Sequence, residues 1–183
     1  MGRKILVTDS MFIFDEHIKQ LEDAGYEVER LDKPDASEEE LCKAVKGKVG
    51  YILGGIEKVT GKVIESADEL KAVVFTGTAW KGFVVGHELA TKMGIAIANT
   101  PHANAGSVAE WAFASTLAMT RNLLSLGRAG DKTFQTTHSL NELRVGIVGL
   151  GHIGSRLAEL FSAAGAKEVV YWSHSEKQSS LSV

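Results

Sequence analysis

The chain has a single cysteine, Cys42, in 183 residues. No internal disulfide can form, and a reducing cytoplasm is the expected compartment. No apolar run approaches the ~20 residues of a membrane span. The apolar part of Met1–Val7 is too short for a secretory signal and reads as a first strand. Leu6 stands where a myristoylation motif needs Ser or Thr. Neither charge sign dominates: 20 basic against 23 acidic residues give a net charge of -3. That leaves no electrostatic footprint for nucleic acid or an anionic membrane. No H-E-x-x-H or C-x-x-C spacing occurs, so no metal site is expected. Prolines are few, only two, which leaves long stretches open to regular structure.

Those stretches alternate between strand and helix patterns. Lys4–Thr8, Val49–Leu53, Ala72–Thr76 and Ile95–Ala98 are compact apolar runs, as in strands covered on both faces. Tyr26–Leu31 alternates and suits an edge strand. Phe14 to Ala24 is helix-like, with Phe14, Ile18 and Leu21 on one face. Ser37 and Glu40 form a capping box ahead of Leu41, Ala44 and Val45, and Thr60 can cap a short helix through Ala67. Strands and helices at this spacing imply an α/β fold with a flavodoxin-like parallel sheet over residues 1–101. Ligands in such sheets bind at the carboxyl ends of the strands. The loops to watch are Asp9-Ser10, Gly54-Gly55-Ile56 and Gly77-Thr78-Ala79.

Residues 102–183 read as a linking helix and the start of a second, Rossmann-type domain. Asn104 to about Leu126 is apolar or small on most faces, including Val108, Trp111, Ala112, Leu117 and Leu123. Such a helix is expected to be buried between domains or subunits. A polar connector, Gly127–Asn141, follows. Next comes an apolar strand running straight into Gly149-Leu150-Gly151-His152-Ile153-Gly154 and a helix to Ala164. This is G-x-G-x-x-G in the strand-turn-helix context it needs. Gly149 permits the tight turn, Gly151 admits a pyrophosphate, and Gly154 lets helix and strand pack closely. The N–H groups near His152 and Ile153 face the phosphates at a positive helix end. At the end of the next strand, Glu168–Trp172, an NAD site usually carries a carboxylate. Here Ser173 and His174 stand in its place, which favours NADP; the alternative is that Ser173 tolerates either cofactor. The serine-rich segment Ser175–Val183 is expected to be disordered.

Three motifs together, Asn99-Thr100-Pro101, Ser107-Val108-Ala109-Glu110 and the glycine fingerprint, resemble the D-isomer-specific 2-hydroxyacid dehydrogenases. The Tyr171-Trp172-Ser173 ending is similar to that of glyoxylate or hydroxypyruvate reductases within that family. The resemblance implies hydride transfer between NAD(P)H and a small 2-oxo or 2-hydroxy acid. It implies a substrate carboxylate held by backbone N–H groups of Gly77, Thr78 and Ala79, with Gly55 bordering the substrate. Val108 would lie near the nicotinamide, and the 104–126 helix would form a homodimer interface.

The carboxylate loop departs from the family's G-x-G-x-D-x-x-D: Ala79 replaces a glycine, and Lys81 and Val84 replace aspartates. Lys81 could meet an anionic substrate or simply be solvated. The family's catalytic Arg, Glu and His would lie beyond Val183. The chain is therefore expected to be a truncated form, inactive alone, with Ile147 and its neighbours without lateral strand partners. A non-enzymatic nucleotide-binding or dimerisation module is the alternative. His17, His102 and His138 are expected to be solvated or capping, Cys42 a small buried hydrophobe, and Trp111 and Phe113 packing residues.

Overall fold

The computed structural model describes residues 2–8, 13–33, 35–129 and 135–175. The Asp9-Ser10 loop and the tail beyond Ser175 lie outside them. The chain divides into two compact units, Met1–Pro101 and His102–Val183.

The first unit runs β1 (Arg3–Thr8), α1 (Asp15–Asp23), β2 (Tyr26–Leu31), α2 (Glu38–Ala44), β3 (Lys48–Leu53), α3 (Gly61–Ser66), β4 (Ala72–Phe75), α4 (His87–Lys92) and β5 (Ala96–Asn99). The five strands lie in the order β2-β1-β3-β4-β5, all parallel. This is the flavodoxin-like order, with β2 at the edge as its alternating pattern requires. Helix α4 had no counterpart in the sequence reading. It has only six residues, too few for a helical period to show.

Alternation along the strands sorts two cores. Leu6, Tyr51, Leu53 and Val73 point to one face, where Leu41 and Val45 at α2, Val63 and Ile64 of α3 and Ala90 of α4 cover them. Ile5 and Val7 point to the other, against Ile13 and the α1 residues Ile18 and Leu21. Phe14 does not join that apolar face; it is exposed. It sits at the helix cap instead, and its backbone N–H donates to Nδ1 of His17 at 3.0 Å, so His17 caps. The Ser37 box forms as read: Ser37 N–H donates to Glu40 at 2.8 Å, and Glu40 N–H donates to the Ser37 hydroxyl at 3.4 Å. Cys42 is half-buried rather than buried.

One polar chain enters this core. The Thr8 hydroxyl donates to the Tyr51 hydroxyl at 3.3 Å, which donates to Oε1 of Glu57 at 3.2 Å. Burial pushes the Tyr51 phenol far above its ordinary range.

The second unit holds α5 (Ala105–Thr120), α6 (Leu123–Ala129), β6 (Arg144–Val148), α7 (His152–Ala163) and β7 (Glu168–Trp172). The single helix expected over 104–126 is two. Asn122 between them takes φ 51°, the left-handed region that asparagine enters more readily than other side-chain-bearing residues. The helical structure runs on to Ala129, so the connector begins later than the composition suggests. Within α5, Ala105 and Ala109 are buried, and Trp111 is 72% exposed. Phe113 does pack, edge-on to Phe161 with centroids 4.9 Å apart.

β6 and β7 pair in parallel, Arg144 with Glu168 through Val148 with Trp172. Ile147 is not without a lateral partner; it pairs with Tyr171 and is buried against Ala158, Phe161 and Val169. No helix of the described residues is long and apolar enough to cross a membrane.

Candidate functional site

In the second unit the glycine fingerprint occupies the β6–α7 turn, and two of its three glycines answer to a steric need. Gly149 takes φ 96°, a conformation costly for any residue with a Cβ. A Cβ on Gly154 would overlap the Gly149 carbonyl oxygen and come within 3.3 Å of the Ile147 side chain. Gly154 therefore lets α7 start directly against the end of β6. A Cβ on Gly151 would meet nothing within 4 Å. Packing does not demand that glycine; it leaves open backbone at the helix start. The first turn of α7 has no preceding carbonyls for the N–H groups of His152 and Ile153, so these donors and the helix dipole are available to an anion. An open cradle, a strained turn and a helix start together fit a dinucleotide's pyrophosphate.

Around the cradle, Gly149 N–H donates to the Trp172 carbonyl at 2.7 Å. This ties the turn to the end of β7, so Ser173 and His174 follow directly beside it. Ser173 is half-buried and His174 exposed. Ile153 is exposed as well, whereas Gly154 is buried. A hollow of about 440 Å³ at the turn is lined by Leu150, Gly151, His152, Ser155, Arg156 and Glu159. Arg156 is paired to Glu159 at 2.7 Å. Val108, on α5, is exposed.

In the first unit, the loop after β4 carries Gly77, Thr78 and Ala79. Its carbonyls are engaged: Thr100 N–H donates to Gly77 at 3.2 Å, and the Asn99 side-chain amide donates to Thr78 at 3.1 Å. The Asn-Thr of the Asn-Thr-Pro motif is thus a brace for this loop, a role the sequence did not reveal. Thr76 ties it from the other side, its N–H donating to Leu53 at 3.0 Å. Gly55, after β3, is buried, while Thr78 and Ala79 are exposed. Lys81 is exposed, its ammonium 5.8 Å from the Trp80 ring.

Two further features were missed. Glu57, one residue past the Gly54-Gly55-Ile56 loop, is a buried carboxyl whose Oε2 has no hydrogen-bond partner among the described residues. His102 and His152 stack, with ring centroids 3.5 Å apart and planes 26° apart. No sequence spacing could have paired them. Among the described residues no group of three His, Cys, Asp or Glu could hold a metal.

Comparisons with known proteins converge on one family. The profile described as D-isomer specific 2-hydroxyacid dehydrogenase, catalytic domain, matches residues 5–178. The D-3-phosphoglycerate dehydrogenase of Rattus norvegicus is 34% identical over 175 residues, 92% of this chain and 32% of that protein. This chain thus spans about a third of the length of the curated relatives it matches. Among solved structures, the TT0316 protein from Thermus thermophilus superposes with a TM-score of 0.85 at 26% identity, over 97% of this chain and 58% of that one. The NAD+-bound 3-phosphoglycerate dehydrogenase of Entamoeba histolytica shares the fold, with a TM-score of 0.75 at 21% identity over 95% and 55% of the two chains. A profile match over nearly the whole chain, joined to the fold and the fingerprint geometry, means that the chain belongs to the D-isomer specific 2-hydroxyacid dehydrogenase family.

Proposed function

We propose that this polypeptide serves a D-2-hydroxyacid dehydrogenase-type oxidoreductase, contributing the cofactor cradle and the substrate-carboxylate loop. The observation that carries the reading is the β6–α7 turn, where Gly149 and Gly154 are required by geometry and Gly151 faces open space. When bound, the nicotinamide supplies or accepts the hydride. The chain's residues do the holding: N–H groups at His152 and Ile153 bind the pyrophosphate, and Gly77 and Ala79 orient a substrate carboxylate beside Thr78 and Gly55. Val108 lies along the nicotinamide in this reading.

At the ribose end the reading is NADP over NAD. β7 closes on Trp172-Ser173-His174, and a hydroxyl with an imidazole suits a 2′-phosphate where a carboxylate would repel it. Titrating tryptophan fluorescence of the 183-residue chain with NADPH and NADH tests both levels. Saturable binding of either, lost in Gly154→Ala, supports the cradle. Tighter NADPH supports the 2′-phosphate reading, and equal or tighter NADH overturns it. Turnover by this chain with glyoxylate, hydroxypyruvate or 3-phosphoglycerate is expected to be small or absent, because the resemblance assigns no general acid/base to its residues. Ordinary turnover would refute that.

The exposed apolar side chains Trp111, Met119, Leu123 and Leu124 favour a companion reading, self-association through α5 and α6 as a homodimer or as a dimerisation module. A concentration-independent monomer mass in solution would remove it.

A further inference from the structure

His102 occupies an unusual backbone position. It is one of two non-glycine residues with positive φ among those described, at 68°, a region histidine enters several-fold more often than most residues with a Cβ. Its carbonyl accepts from Ala105 N–H at 3.0 Å, so the conformation is tied to the start of α5. The consequence is the ring stack on His152. His152 is the first residue of α7 and shares the lining of the hollow with Gly151. A lone histidine on an exposed helix start samples several rotamers. A ring lying against a second ring 3.5 Å away is restricted to the rotamer that keeps the stack, while its two nitrogens stay available at its edge.

We propose that His102 is a positioning residue for dinucleotide binding. By stacking on His152 it holds that imidazole beside the glycine turn, where a ring N–H donates to the pyrophosphate. This rests on the dinucleotide reading above. It adds a role for a residue that no part of the fingerprint includes.

The test uses the full 183-residue chain with two probes, ADP-ribose, which carries the pyrophosphate, and adenosine, which does not. His102→Asn removes the ring but tolerates the left-handed backbone; His102→Phe restores a ring. Asn at 102 should weaken ADP-ribose binding about fivefold, less than the roughly tenfold or more of a whole hydrogen bond to a charged group, because the His152 donor remains but is no longer held. It should leave adenosine unchanged, and Phe should recover most of the loss. In a His152→Ala background the Asn substitution should cost nothing further, since the coupling runs through that ring. Proton resonances of the His152 ring in the unliganded chain should shift with Asn and not with Phe.

ADP-ribose binding that ignores His102, or equal losses with Asn and Phe, would overturn the proposal while leaving the dinucleotide reading intact. A parent chain that binds no ADP-ribose would overturn both.

Discussion

In Met1–Pro101, five strands bury a broad cluster that includes Leu41, Tyr51, Leu53 and Val73, with a second cluster behind it. In His102–Val183, two strands and α7 bury a smaller one around Ile147, Phe161 and Val169. That second unit leaves Trp111, Met119, Val148 and Trp172 largely in solvent. Yet the turn with the tightest glycine contact lies there, at Gly154. A phosphate cradle needs only local backbone sterics, three glycines and a helix start, whereas a stable sheet needs area. The extent of the core and the geometry of the glycine turn are separable properties here, and the motif marks the second without reporting on the first.

The comparison is broken most directly by Phe161→Ala, which removes the largest fully buried side chain of the small core. A loss of ~3–5 kcal/mol should unfold the second unit. Amide exchange should then show β6 and β7 unprotected while β1 and β3 stay protected. Simultaneous loss in both units would show that the cores are not independent. Leu41→Ala removes a fully buried residue from the large core. It should cost about 3 kcal/mol, with the first unit still folded and the β6–α7 resonances unmoved.

Gly154→Ala sharpens the other half of the contrast. The added methyl has no room against the Gly149 carbonyl. About 1–3 kcal/mol of local strain should abolish dinucleotide binding without touching the first unit's melting. Ser37→Ala tests local signals in the larger unit: loss of the α2 cap should cost ~1 kcal/mol, read from the denaturant midpoint.

The smallest effect is one of pH. Hydrogen bonds from Lys4 and then Lys48 hold the Glu29 carboxyl down to about 2. A carboxyl held lower when folded adds stability above its unfolded value, near 4.5, and loses it as pH falls toward 2. The Glu29 side chain is 43% exposed, so solvent screening should keep the loss below ~1 kcal/mol. Glu29→Gln should flatten the fall in denaturant midpoint between about pH 5 and pH 2.5.

What could be read from the residues follows the same divide. Glycine spacing, capping boxes and alternating strands are short-range signals, so the sheet, the Ser37 cap and the strained β6–α7 turn were legible. The stack of His102 on His152 depends on how α5 meets α7, and the Asn99 brace depends on β4 lying beside β5. Neither leaves a trace in spacing. The break at Asn122 was hidden because the composition on both sides stays apolar and helix-compatible. Phe14 fitted the helical period, but it stands at the cap, where periodicity no longer decides which way a side chain faces.

The parallel sheet also bears on how fast the chain can reach its native state. β1 is flanked by β2 and β3, and its register joins Ile5 to Val28 on one side and Leu6 to Tyr51 on the other. Every such pairing must close a long loop before any ladder bond rewards it. The first unit should therefore collapse and fold slowly, with β1 exposed as a sticky template until β3 arrives. During synthesis, β1 emerges well before β3 and must wait for it.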